Sequence, residues 1–121
     1  QNKALGTSGS GTQFFIEKGQ KIGHILDPRT GQPANGVLSA TVLADTAAEA
    51  DALATAAYIL GPQEIDHIAP DGSSVAAILV VQEERTSRLT AILANLDTEE
   101  FVPNQTTPGL TVIQAKDHSQ K

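Results

Sequence analysis

The sequence predicts an α+β fold in which a mostly antiparallel sheet packs against one alanine-rich helix. Three observations predict it. Short apolar stretches, clearest at Val37 to Leu43 and Val75 to Val81, have the length and pattern of strands. A single long helical pattern runs from Ala47 to Leu60 between a start signal and a stop signal. Clusters of Gly, Pro, Asn and Asp separate these stretches and read as turns. With 121 residues the chain holds one domain rather than two.

The first twelve residues include Gly6-Thr7-Ser8-Gly9-Ser10-Gly11-Thr12. That composition fits a flexible leader, or a Gly/Ser turn whose N–H groups approach a phosphate. Gln13 to Ile16 is predicted as a strand, with Lys21 to Leu26 as its hairpin partner across Gly19-Gln20. Residues 27–36 carry two prolines and two glycines and form a loop. In the strand Val37 to Leu43, Leu38, Ala40 and Val42 alternate with Ser39, Thr41 and Leu43. The helix follows. Thr46 is a favourable N-cap, Glu49 stands three positions on, and Gly61-Pro62 ends the pattern. Seven alanines make it slim enough to press closely on a sheet. Pro62 to Ala69 is expected as a short second helix, and Pro70-Asp71-Gly72 as a turn. The unbroken apolar run Val75 to Val81 is too short to cross a membrane and fits a buried strand. Leu89 to Leu96 fits either a strand paired with it or a short helix, the strand being favoured; Leu110 to Ile113 is read as a last strand, and residues 115–121 as a frayed tail.

Composition narrows the function classes. The net charge is −6, and the basic residues are scattered, so nucleic acid is not expected as the main partner. A bound phosphate would need a metal ion or backbone N–H groups to supply positive field. The absence of cysteine removes disulfides, thiolate metal sites and thiol nucleophiles. The sequence contains no methionine and begins at Gln1, so a processed product or a piece of a longer protein is expected.

Asp51 and Thr55 lie four residues apart, on one helix face. A carboxylate and a hydroxyl so placed can share one hard cation such as Mg²⁺. The alternative is a solvated acid beside a threonine bonded back to its own helix. His24 is followed by the Gly/Pro loop and is a candidate general base or a simple surface histidine. Asp27 before Pro28 is a turn former, and Arg29 either binds phosphate or is exposed.

The run His24-Ile25-Leu26-Asp27-Pro28-Arg29-Thr30-Gly31-Gln32-Pro33 and the helix segment Ala50-Asp51-Ala52-Leu53-Ala54-Thr55-Ala56 together resemble the FAD:protein FMN transferases, the ApbE family. Thr7-Ser8-Gly9 with Phe14-Phe15, and Leu38-Ser39-Ala40-Thr41-Val42, resemble two further segments of that family. The resemblance covers residues 4 to 61 and is poor beyond Pro62. It implies that this chain is the C-terminal part of an ApbE-like domain, about half of the larger fold. It also implies an enzyme that uses Mg²⁺ to move FMN from FAD onto a Thr or Ser hydroxyl of an acceptor protein, releasing AMP. An FAD pyrophosphatase and a non-catalytic flavin-binding relative are the rival implications. Carried onto this chain, Asp51 and Thr55 hold the metal, His24 is the base, and Ser8, Gly9, His24, Ile25, Asp27 and Thr30 line the flavin site. An N-terminal half would supply the remaining contacts. A periplasmic or lipoprotein location follows from the same resemblance. Where many relatives carry Asp or Asn and then Tyr after the Ser-Gly pair, this chain has Ser10-Gly11. The loop 27–33 is expected beside the N-terminal end of the Asp51 helix, where free N–H groups favour phosphate.

Overall fold

The computed structural model describes residues 3–9, 14–17, 20–23, 26–33, 36–82, 88–96 and 110–115. Its main sheet has five strands: β1 (Ala4–Gly9), β6 (Ser39–Ala44), β7 (Ala76–Gln82), β8 (Leu89–Ala94) and β9 (Thr111–Gln114), side by side in that order. The first four pair antiparallel, and β9 joins β8 in parallel. Two small hairpins stand between β1 and β6 in the chain. One is β2 (Phe14–Glu17) with β3 (Gln20–Gly23); the other is β4 (Leu26–Asp27) with β5 (Gln32–Pro33). The helix α1 (Ala47–Leu60) follows β6, then a 3₁₀ turn at Pro62–Glu64 and the short α2 (Ile65–Ile68). The predicted α+β class and every predicted strand from Val37 onward are present.

The Gly/Ser stretch is a strand in residues 4–9, neither a leader nor a turn. Gly6, which lacks a side chain, and Ser8 lie on its inner face, opposite Val42 and Ala40 of β6. Alternation then decides which residues reach the core. Ala40, Val42 and Ala44 of β6 and Ala77 and Leu79 of β7 are buried against α1. Leu38, expected on the same apolar face, is exposed instead, just before β6 begins at Ser39.

The helix has the predicted bounds. The Thr46 hydroxyl accepts from the Glu49 N–H at 3.1 Å, and Gly61, at φ 82°, ends the helix with its N–H donating to the Ala57 carbonyl. The face laid on the sheet consists of Ala50, Ala54, Ala57 and Tyr58. Three of these four are alanines, so the helix axis can approach the strands closely.

Beyond α2 the segment 69–75 is held by Asn95, at the end of β8, and by Lys3, whose ammonium donates to the Ser74 carbonyl at 2.7 Å. The Asn95 amide donates to the Pro70 and Val75 carbonyls, both at 2.8 Å, and its oxygen accepts from the Gly72 N–H at 3.3 Å. Asn95 does this from a left-handed backbone conformation, φ 58°, which asparagine tolerates better than most residues. Ala115, expected in the frayed tail, is buried in the core; the rest of that tail lies outside the described residues. No helix among the described residues is long and apolar enough to cross a membrane.

Candidate functional site

The site is built where the strand β1 meets the flank of α1. Asp51 follows the buried Ala50, so it stands one position round the helix from the sheet-facing stripe and is exposed. Among the described residues its carboxylate has no hydrogen-bond or ion-pair partner. Thr55, one turn further on, is half-buried. Its hydroxyl lies 3.2 Å from the Asp51 backbone carbonyl and 3.0 Å from the Ser8 hydroxyl of β1. Ser8 is only 9% exposed. The close approach rests on Gly6. A Cβ there would lie 2.8 Å from the carbonyl carbon and oxygen of Ala50 and 2.9 Å from the Asp51 nitrogen.

The loop expected at the start of α1 lies at its other end. A tight turn runs from Asp27 to Gly31, with the Thr30 and Gly31 N–H groups donating to the Asp27 carbonyl at 3.1 and 2.8 Å. Gly31 takes φ 73° to close it. The Asp27 carboxylate accepts from the Arg29 backbone N–H at 2.8 Å and from its guanidinium at 3.0 and 2.8 Å. The same guanidinium reaches the Ile59 carbonyl in the last turn of α1 at 3.4 Å. That turn carries no basic residue of its own, so Arg29 supplies the positive charge that a helix C-terminus favours. The expectation of phosphate held between this loop and the helix N-terminus is therefore corrected. The loop faces carbonyl oxygens, and it lies about 6 Å of helical rise beyond Thr55.

The hydrogen bonds from Arg29 hold the Asp27 carboxyl below the usual aspartate range. Neither residue is poised for chemistry. Asp27 is nearly buried and its oxygens are engaged by Arg29, so its part is to shape the loop. Thr30 is exposed, and its hydroxyl accepts from the Gln32 N–H at 3.1 Å. Beside this turn, a cavity of about 480 Å³ opens between Asp27, Arg29, Thr30 and Gln32 on one side and Ile59 and Leu60 on the other. Gly9 ends β1, where a Cβ would lie 3.0 Å from the Leu38 carbonyl oxygen. His24 and Ile25 lie outside the described residues, as do Ser10 and Gly11.

Ser8, expected to line the flavin site, has its hydroxyl 3.0 Å from that of Thr55. Sequence reasoning missed the Asp27–Arg29 fork and the Asn95 clamp. A signal for the fork was present, since an Asp-Pro-Arg turn brings residues two apart within reach. No local signal joins Ser8 to Thr55.

The fold and this junction define a class: an α+β unit that sets one exposed carboxylate and two hydroxyls where an edge strand meets its long helix. The ApbE family model matches residues 1–79, and the chain belongs to that family. The match extends past Pro62 into β7, further than the motifs alone suggested.

The chain is similar to curated proteins named FAD:protein FMN transferase. With that of Rhodobacter capsulatus it shares 39% identity over 82 residues, 68% of this chain and 16% of the relative. With that of Klebsiella pneumoniae it shares 36% over 80 residues, 65% of this chain and 23% of the relative. Among solved structures, the Pseudomonas stutzeri flavinyl transferase ApbE in its apo form superposes with a TM-score of 0.63 at 29% identity, over 85% of this chain and 32% of that one. The chain thus spans roughly a sixth to a quarter of the length of these curated relatives.

Proposed function

We propose that the protein carrying this chain transfers FMN from FAD to a threonine or serine hydroxyl of an acceptor protein, with Mg²⁺, releasing AMP. Asp51 carries the reading. It is an exposed carboxylate, unengaged among the described residues, on the helical turn that leads to the Thr55 hydroxyl, in a chain of the ApbE family. The donor chemistry fits Mg²⁺. Both side chains offer hard oxygen, and Mg²⁺ takes one or two carboxylates together with water and substrate phosphates. Among the described residues no group of three or more His, Cys, Asp or Glu lies together.

In this reading Asp51 and Thr55 hold the cation, and His24 takes the proton from the acceptor hydroxyl. The acceptor oxygen forms a bond to the FMN phosphorus as the bond from that phosphorus to the AMP oxygen breaks. When bound, Mg²⁺ supplies the positive charge that an acidic chain lacks for a pyrophosphate. Asp27 and Arg29 keep the loop after His24 folded onto the end of α1. The chain is the C-terminal part of the transferase domain, and an N-terminal part completes the flavin pocket. The periplasmic or lipoprotein location belongs to the same reading.

The test uses the full-length protein with FAD, Mg²⁺ and a peptide bearing a target threonine, and looks for flavin fluorescence on the peptide. Asp51→Ala should abolish transfer and leave the fold intact. His24→Ala should slow it by roughly 10²–10⁴-fold, the usual worth of a general base. Undiminished transfer by Asp51→Ala would remove its assigned role. Hydrolysis of FAD without transfer would assign a pyrophosphatase, and no reaction at all a non-catalytic flavin protein.

A further inference from the structure

The hydroxyl of Thr55 has two neighbours, and their chemistry fixes its proton. The Asp51 carbonyl, 3.2 Å away, can only accept. If both contacts are hydrogen bonds, the single Thr55 hydroxyl proton goes to that carbonyl. The Ser8 hydroxyl, 3.0 Å away, must then donate to Thr55 Oγ1. The threonine oxygen gives its proton to its own helix and takes one from the strand, and among the described residues a single lone pair stays uncommitted. A hydroxyl that ligates a cation needs that state: its proton turned elsewhere and a lone pair free.

Two further observations separate this contact from a chance meeting of surface hydroxyls. Ser8 is buried, and among the described residues Thr55 is the one partner its hydroxyl has. The contact also joins residues 47 apart in sequence, and it exists because Gly6 lets the backbone of α1 sit directly on β1. We infer that Ser8 is a positioning residue for the cation site: it acts through Thr55, orienting the hydroxyl that binds Mg²⁺ beside Asp51, and does not itself touch flavin. This rests on the metal reading of Asp51 and Thr55 proposed above.

The experiment measures Mg²⁺ affinity by titration calorimetry on the full-length protein, with Mn²⁺ electron paramagnetic resonance as a second probe. FAD affinity without divalent cation and the melting temperature of the metal-free protein are measured alongside. The variants are Ser8→Ala, Ser8→Thr, Thr55→Ala and Asp51→Ala. Ser8→Ala is expected to weaken Mg²⁺ and Mn²⁺ binding about tenfold, the lower end for a group that orients a metal ligand. It should leave FAD affinity without metal unchanged, and Ser8→Thr, which keeps the hydroxyl, should restore metal binding.

If Thr55→Ala and Asp51→Ala lose the metal while Ser8→Ala binds it normally, the positioning role is overturned and the metal reading stands. If Ser8→Ala lowers only the melting temperature, the hydrogen bond is structural and the inference fails. If Ser8→Ala weakens FAD without metal and leaves Mg²⁺ affinity alone, Ser8 belongs to the flavin wall and the inference fails. If neither Asp51→Ala nor Thr55→Ala changes Mg²⁺ affinity, the metal reading itself fails and takes the inference with it.

Discussion

Asp27 and Arg29 stand two residues apart and face each other through three hydrogen bonds, one of them from backbone. The pairing explains why an Asp-Pro-Arg-Thr-Gly loop can hold one shape at the surface. The carboxylate closes the turn, and the guanidinium ties the turn to the helix end. It also makes a pH prediction with a definite sign. The Asp27 carboxyl is held low in the folded chain, so the folded state keeps it ionised where the unfolded chain takes up a proton. The stability this contributes is fully present above the ordinary aspartate pKa of about 3.9 and is lost as pH falls through the lowered folded value. Melting temperatures of the wild type and Asp27→Asn should therefore differ most near neutral pH and converge in strong acid. Asp45, held low by Lys3, behaves with the same sign in both proteins and cancels from the comparison. A gap that stays constant down to the most acid point would show that the pair contributes nothing through ionisation.

Among the elements, the contact between β1 and α1 governs the site. Thr46 starts the helix, Gly61 ends it, and its alanine stripe lets it lie low. None of these sets its position over β1; Gly6 does. The atoms that a Cβ would meet there are backbone atoms of Ala50 and Asp51, which cannot swing aside as a side-chain tip would. Gly6→Ala must lift the helix or bend the strand. Such overpacking costs about 1–3 kcal/mol, to be read from the urea midpoint. The same shift pulls Thr55 from Ser8, so metal binding should fall with stability. Gly6→Ala with an unchanged midpoint would mean that the helix and strand are less tightly joined than their geometry requires.

At the scale of the whole molecule, the core among the described residues is rich in alanine. The largest fully buried side chains there are Leu79, Ile92, Leu93 and Val42. Strand alternation puts Leu79 and Ile92 on the sheet face that carries the core cluster and Leu93 on the opposite face. Leu79 is one of these largest buried side chains, on the central strand β7. Leu79→Ala should cost about 2–5 kcal/mol, a large share of the stability of a typical domain. Equilibrium denaturation checks this. A loss below about 1 kcal/mol, less than the transfer free energy of the methyl groups removed, would contradict the central place of β7 in the core.

The sequence by itself determined what local chemistry can encode. The Thr46 cap, the Gly61-Pro62 stop, the alternation through Ala40 and Val42, and the Pro70-Asp71-Gly72 turn each depend on residues a few positions apart, and each stands where its pattern put it. The family motifs likewise lie in short contiguous runs and are matched by the family. Only the tertiary structure decided the rest. Gly6 to Gly9 has a linker's composition, and it becomes a strand because β6 offers a ladder to it from more than 30 residues away. The loop at Asp27 meets the end of α1 and not its beginning because Arg29 finds the Ile59 carbonyl, 30 residues on. Ser8 reaches Thr55 across 47 residues of chain. Such contacts leave no periodicity or spacing to read, because their partners are chosen by how the finished sheet and helix pack.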